Sequence, residues 1–405
     1  MTLPATRADA EALDRADPFA AAAAMFALPH GRIYLDGHSL GPATWEAMAR
    51  VEKATRAEWA MGLITSWNTA GWIDLPRLVG GKLARLVGAD ADEVVVADSV
   101  SVNLFKLAAA GLGLARSRVL VVEEDEFPTD QYVAEGLAGL AGVELQRVGA
   151  GAGAAMLRVT GGVMIRSVVN YRTAAIVDMA AAECDARAGG GLVVWDLSHA
   201  TGVLDVRLHA AGARMAAGCT YKYLNGGPGA PAFVYVRRDI KAASPITGWM
   251  GHEAPFDFVA GYRPRADAAR FAAGTPAILS LSALDGALQA FEGRDVGQLW
   301  AKAQRMGDLV IARGAALGLQ TISPGIGEAR GGHVSLLHAD GYAIVQALIA
   351  RGVIADFRAP DAMRFGLAPL YVRWVDVWDA MAHLGEVLER REYERAEFRA
   401  RAAVT

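Results

Sequence analysis

The segment Cys219-Thr220-Tyr221-Lys222-Tyr223-Leu224-Asn225-Gly226-Gly227-Pro228-Gly229 sets a lysine between two tyrosines and just ahead of a glycine-proline turn. An amine is thereby held by bulky neighbours on backbone that must bend sharply. Upstream, Gly191-Leu-Val-Val-Trp-Asp196-Leu-Ser-His199 is an apolar run that ends in a carboxylate and an imidazole. Such a run reads as a buried strand, and open α/β sheets place their chemistry at the C-terminal ends of strands. Asp196 for a pyridinium nitrogen, His199 for stacking on a ring and Lys222 for a Schiff base suggest a pyridoxal phosphate site. By itself Lys222 is as readily a buried structural lysine; with Asp196 and His199 the catalytic reading prevails. Among the other lysines, Lys53, Lys82, Lys106 and Lys302 lie in helical stretches of mixed polarity. They read as surface residues with their stems along apolar surface.

A phosphate group needs donors, and Glu93-Val-Val-Val-Ala97 runs into Asp98-Ser99-Val100-Ser101-Val102-Asn103 before a helix-like stretch from Leu104 to Leu114. A strand, a hydroxyl-rich turn and a helix N-terminus make a phosphate cradle, although Ser99 or Ser101 also caps a helix without any ligand. Trp67 and Trp72 flank the polar centre of the segment 66–74. Core packing is their default, and an aromatic wall for a ligand is the second reading.

The elements that must position these residues alternate. Strand-like runs at 118–123, 143–148, 162–169, 192–197, 215–220 and 233–237 are interspersed with helix-like runs at 131–140 and up to about 188. Alternation of this kind means βαβ units and a mostly parallel sheet. Residues 149–155 are glycine and alanine only and read as a bend, while residues 33–42 read as a short strand breaking into a tight connection. Past Lys241 the texture turns to loop until a helix near Pro276. A long helix at 296–317 leads into a smaller α+β lobe with strands at 333–337 and 353–358, and Met363-Arg364-Phe365-Gly366 opens a loop. The charged stretch 376–403 reads as a solvated helix face.

The 405 residues suggest one large domain and a smaller one. The expected division is an N-terminal segment, 1–50, packing with the small domain, a large cofactor-binding domain, 51–295, and a small domain, 296–405. With 53% hydrophobic residues and 21% charged ones the chain should fold throughout. A net charge of −4 argues against nucleic acid or an anionic membrane as partner and favours a small molecule. Two cysteines, Cys184 and Cys219, provide neither a disulfide framework nor a CxxC metal pair, which fits a reducing cytoplasm. Signal-peptide and membrane-span patterns are not expected.

Four stretches resemble the kynureninases: Asp196-Leu-Ser-His199-Ala-Thr-Gly202, Gly218-Cys-Thr-Tyr-Lys-Tyr-Leu-Asn-Gly-Gly-Pro-Gly-Ala-Pro231, Phe127-Pro-Thr-Asp130 and Gly248-Trp-Met-Gly-His252. The likeness runs from about Tyr34 to Trp378. It implies the fold-type I architecture of pyridoxal-phosphate enzymes, with a mostly parallel seven-stranded sheet and a smaller C-terminal α+β domain. It also implies hydrolysis of L-kynurenine, or its 3-hydroxy form, to the anthranilate and L-alanine, a step of tryptophan catabolism.

Carried over residue by residue, the resemblance makes Lys222 the Schiff-base lysine, Asp196 the partner of the pyridine nitrogen and His199 a ring neighbour. Tyr221 contacts the phosphate and serves as a proton donor. Val100 and Ser101 lie at the phosphate turn, Phe127 on the ring, and Asp130 and Ser167 against the cofactor. Trp249 and Thr275 reach the phosphate of the neighbouring subunit, implying a homodimer. Arg364 grips the substrate carboxylate, with Ser39 and Trp67 near its amino-aromatic end. His38, Val100 and Val168 depart from the family pattern, which bears on substrate preference. The alternatives are a cysteine desulfurase or selenocysteine lyase of the same superfamily, disfavoured by the positions of Cys184 and Cys219, and a catalytically silent binding protein.

Overall fold

The computed structural model describes residues 3–401. Seven strands form the main sheet in the order Val94–Val96, Phe233–Val236, Met215–Gly218, Leu192–Asp196, Val163–Ser167, Val119–Glu123 and Glu144–Val148. Phe233–Val236 runs antiparallel to both neighbours, and the remaining pairings are parallel. The strands are rich in valine because helices cover both faces. Along them, Val121, Met164, Val193 and Trp195 enter one apolar cluster, while Leu120, Val122, Val163, Ile165 and Val194 enter the other. This is the period-two alternation of a pleated sheet with two buried faces.

After Val119–Glu123 the chain moves out to the edge strand Glu144–Val148 and returns to Val163–Ser167 on the opposite flank. That reversal opens a crevice at the C-terminal ends of the parallel strands, where a ligand site is expected in such a sheet. Asp196, Ser167 and the segment leading to Lys222 all emerge there.

A second, antiparallel sheet orders Asp356–Arg358, Ala362–Gly366, His333–Leu337 and Gln320–Thr321. It is packed by Val296–Ala316 and Gly341–Ala350. Near the N-terminus, Arg7–Arg15 is closed by a Thr6–Asp9 capping box and lies on Trp374–Glu389, and Ile33–Tyr34 pairs in parallel with Val353–Ile354. Among the described residues no helix is long and apolar enough to cross a membrane.

Several expectations need correction. The glycine-alanine run 149–155 is not merely a bend, since a helix spans Gly153–Thr160. Its start is held by the Glu123 carboxylate, which accepts from Gly151 N at 2.6 Å and Gly153 N at 2.9 Å. Met363-Arg364-Phe365-Gly366 is strand, not loop, because Arg364 lies opposite Asp356 on the neighbouring strand and its charge is matched there. The stretch from 376 is not simply solvated: Val377, Ala380, Met381, Leu384 and Val387 of Trp374–Glu389 form a buried stripe. Residues 402 and 403 of that expected helix lie outside the described residues.

Lys106 and Lys302 are not surface residues. Each amine is buried and satisfied twice, Lys106 by Asp98 and the Phe271 carbonyl, and Lys302 by Asp17 and the Pro369 carbonyl.

Candidate active site

Lys222 follows the buried strand Met215–Gly218 by four residues and is half-buried. Its backbone is seated on the loop 35–43. Gly41 N donates to the Tyr221 carbonyl at 2.7 Å, and a side chain at Gly41 would collide with the Lys222 carbonyl. The loop expected as a bare connection is therefore part of the lysine's bed. Among the described residues the Lys222 amine makes no hydrogen bond, and its Nζ lies 6.0 Å from the centroid of the Tyr221 ring.

Asp196 ends Leu192–Asp196, buried, and accepts from Ser198 N at 2.7 Å. Burial pushes its carboxyl up, against the Ser198 hydrogen bond and the charge of Lys222. Beside it, Asp130 of Pro128–Ala141 is buried and held by Ser167 Oγ at 3.4 Å. Burial raises Asp130 well above the carboxylate range; the Asp196 charge adds to this and Lys222 opposes it. Two adjacent buried carboxyls cannot both be charged cheaply, so the pair calls for a shared proton or a cationic partner. Glu126, which sequence reading passed over, fixes Ser167 by accepting from its backbone N at 2.9 Å.

His199 is buried, and its Nδ1 has no hydrogen-bond partner among the described residues. Burial, aided by the Lys222 charge, pulls its pKa well below the usual histidine value, so the imidazole is neutral. It stands 5.6 Å from His333, which stacks on His38 at 5.2 Å and 12°. Phe127, at the start of Pro128–Ala141, meets Tyr171 edge-on at 5.2 Å.

On the phosphate side, Ser99 caps Val100–Leu112 by accepting from Val102 N at 3.4 Å, so Val100 and Ser101 form the first turn of the helix. Here Ser99, Tyr221 and Thr275 line one cavity of about 490 Å³. Burial raises the Tyr221 phenol above its ordinary value, keeping it protonated. Trp249 forms a separate aromatic group with Trp67 at 6.4 Å, and Trp67 meets Trp72 at 6.1 Å.

Arg364 is fully buried and not on the surface. Its Nε donates to Asp356 Oδ1 at 2.7 Å, Nη2 donates to Asp356 Oδ2, and Nη1 donates to the Tyr171 carbonyl at 2.6 Å. Three of the five guanidinium N–H groups are thus engaged and two remain. Asp356 also accepts from Ser39 Oγ at 2.9 Å, pairs with Arg358 and approaches His38 Nε2 at 3.6 Å. Burial lifts its carboxyl, but Arg364 and His38 outweigh that and hold it far below the usual range. Sequence reading missed Asp356 as the hub of this group. Its link to Arg364 runs across two strands, and the only local trace is an acid facing a base in the two segments.

These residues fit pyridoxal phosphate. The uncommitted Lys222 amine could condense with the aldehyde, and the Asp196–Asp130 pair would accept a protonated ring nitrogen. The His199 imidazole, with Nδ1 unpartnered among the described residues, could meet the ring, and the N-terminus of Val100–Leu112 could receive the phosphate.

Comparison with known proteins bears on the same reading. Residues 299–384 match the family model described as the kynureninase C-terminal domain. The chain is 45% identical to a kynureninase of Burkholderia mallei (strain SAVP1), over 99% of this chain and 100% of that protein. Among solved structures, the cysteine desulfurase CsdA of Escherichia coli superposes with a TM-score of 0.76 at 17% identity, covering 92% of this chain and 99% of that one. A lysine-to-alanine mutant of C-DES, with glycine covalently linked to the PLP cofactor, superposes at 0.74 with 16% identity, covering 88% and 97%. At those identities the two structures speak for the fold alone.

Proposed function

The chain belongs to the kynureninase family, and from that we propose that it hydrolyses the Cβ–Cγ bond of L-kynurenine, or of its 3-hydroxy form, with pyridoxal phosphate as cofactor. The products are the corresponding anthranilate and L-alanine, which places the reaction in tryptophan breakdown. One observation carries the reading: a lysine amine free of hydrogen bonds among the described residues acts with its charge on a buried carboxyl pair at the C-terminal ends of the parallel strands.

When bound, the cofactor supplies an electron sink for charge that develops on the substrate. Lys222 would hold the cofactor through its amine and would serve as the general base for the substrate Cα proton. Asp196 would pair with the ring nitrogen and favour its protonated form, with Asp130 and Ser167 bracing Asp196. Neutral His199 would pack on the ring without adding a charge. Phe127 would also lie against the ring, and the Val100–Ser101 turn would receive the phosphate. Tyr221, kept protonated by burial, would donate a hydrogen bond to the phosphate and would be the proton donor toward the alanine product. Arg364, oriented by Asp356, offers its two remaining N–H groups to the substrate carboxylate, and Ser39 and Trp67 flank the amino-aromatic end.

A homodimer is the proposed active unit, with Trp249 and Thr275 of one subunit reaching the phosphate held by the other. Exposed apolar side chains support this: Met61 is 81% exposed, Ile64 76% and Phe258 79%, in two segments that flank the Trp67–Trp249 contact. Apolar surface gathered this way calls for a covering partner. We assign the protein to the cytoplasm, a reading supported by its two unpaired cysteines.

The desulfurases share this fold, so sulfur removal from cysteine is the second reading to be tested. Cys184 lies on the helix Met179–Gly189 and Cys219 is buried, so neither presents a mobile thiol to a substrate. Protein reconstituted with pyridoxal phosphate should release fluorescent anthranilate and equimolar alanine from L-kynurenine. Sulfide from cysteine, with no anthranilate from kynurenine, would establish the second reading instead.

A further inference from the structure

Lys106 lies in the second turn of Val100–Leu112 and is completely buried. A buried ammonium is tolerated only with a counter-charge and further acceptors. Lys106 has both, with Nζ 2.6 Å from Asp98 Oδ2 and 2.6 Å from the Phe271 carbonyl. Asp98 lines the cavity that Tyr221 lines, and Phe271 directly precedes Ala272, Ala273, Gly274 and Thr275, which line it from the other side.

On the first side, Asp98 immediately precedes the Ser99 cap and adopts a left-handed φ of +49°. That conformation is uncommon for a non-glycine residue and persists where the surroundings impose it. Here the Asp98 carbonyl accepts from Ala232 N at 2.8 Å and its carboxylate is fixed by Lys106. On the other side, Phe271 ends the turn Ala268–Phe271, four residues before Thr275. Buried Arg270 holds the same turn from behind, donating to the carbonyls of Ile240, Ala242 and Ala266. Asp98 and Thr275 both line the cavity of about 490 Å³.

We propose that Lys106 is a positioning residue for the anionic end of the cofactor. It clamps the Asp98–Ser101 turn to the segment that carries Thr275, and so fixes one subunit's phosphate turn relative to the threonine it lends its partner. The inference rests on the phosphate reading above. Lys106 touches neither cofactor nor substrate and acts through the two backbone segments it joins.

The test compares two aldehydes, pyridoxal phosphate and pyridoxal, titrated into the cofactor-free protein and followed by absorbance. Wild type should bind the phosphorylated form far more tightly. In Lys106→Met that affinity should fall about tenfold or more, the scale of a lost charge-assisted hydrogen bond, while the affinity for pyridoxal stays unchanged. Asp98→Asn, which leaves the amine on the Phe271 carbonyl, should give the same selective loss and serves if Lys106→Met does not fold. A parallel loss for both aldehydes, or no loss for either, would overturn the clamp, since a merely structural lysine moves both or neither. A wild type that binds both aldehydes equally would overturn the phosphate reading on which the clamp rests.

Discussion

Asp130 and Asp196 meet in a place where neither charge is welcome, and this sets the pH behaviour of the empty site. Burial raises both carboxyls above their ordinary values. A folded-state pKa above the unfolded one gives stability that is present at low pH and is lost as pH rises through the folded value. Protein without cofactor should therefore become less stable from about pH 4 upward on account of this pair. Asp130→Asn cannot titrate, so its melting temperature should fall less between pH 5 and pH 8 than that of wild type; equal slopes in a thermal-shift series would remove Asp130 from this role. At the residue scale the sequence is legible where one short stretch holds the chemistry. Lys222 with its tyrosines, and Asp196 with His199 three residues on, announce themselves locally. Asp356 and buried His38 do not, because their meaning lies in partners hundreds of residues away or on a neighbouring strand.

The strands and helices that carry the site are legible in their apolar runs, and the failures share a cause. Gly153–Thr160 has glycine and alanine at its start, which signal nothing by themselves; the carboxylate that holds its beginning is Glu123, at the end of another strand. Ala362–Gly366 carries a buried arginine that looks like a loop residue until Asp356 is placed opposite it. The lysine of Val100–Leu112 looks like a surface residue for the same reason. Glu123 also pairs with the nearly buried Arg166 at 2.5 Å. Removing it in Glu123→Ala leaves that guanidinium without its main partner and should cost about 3–5 kcal/mol of stability. Hydrogen exchange should show residues 149–160 opening first, and a variant with unchanged exchange there would mean that the helix start is held by something else.

At the scale of the whole molecule, the order of the sheet determines where the site lies, and the proposed dimer determines whether it is complete. If each site borrows Trp249 and Thr275 from its partner, subunits with different lesions can complement one another. Lys222→Ala and Thr275→Ala are each expected to be nearly inactive alone. Mixed after dissociation and reassociation, they should regain about a quarter of wild-type activity, because half of the dimers are then hybrids and each hybrid has one intact site. Absence of recovery, with hybrids demonstrated by mass, would place Thr275 in its own subunit's site. The account as a whole depends on one bond between cofactor and chain. The most direct measurement is borohydride reduction of the protein reconstituted with pyridoxal phosphate, followed by peptide mass spectrometry. The account predicts a phosphopyridoxyl group on Lys222 and loss of labelling in Lys222→Ala; a label that persists on another lysine in that variant, or none in wild type, would contradict it.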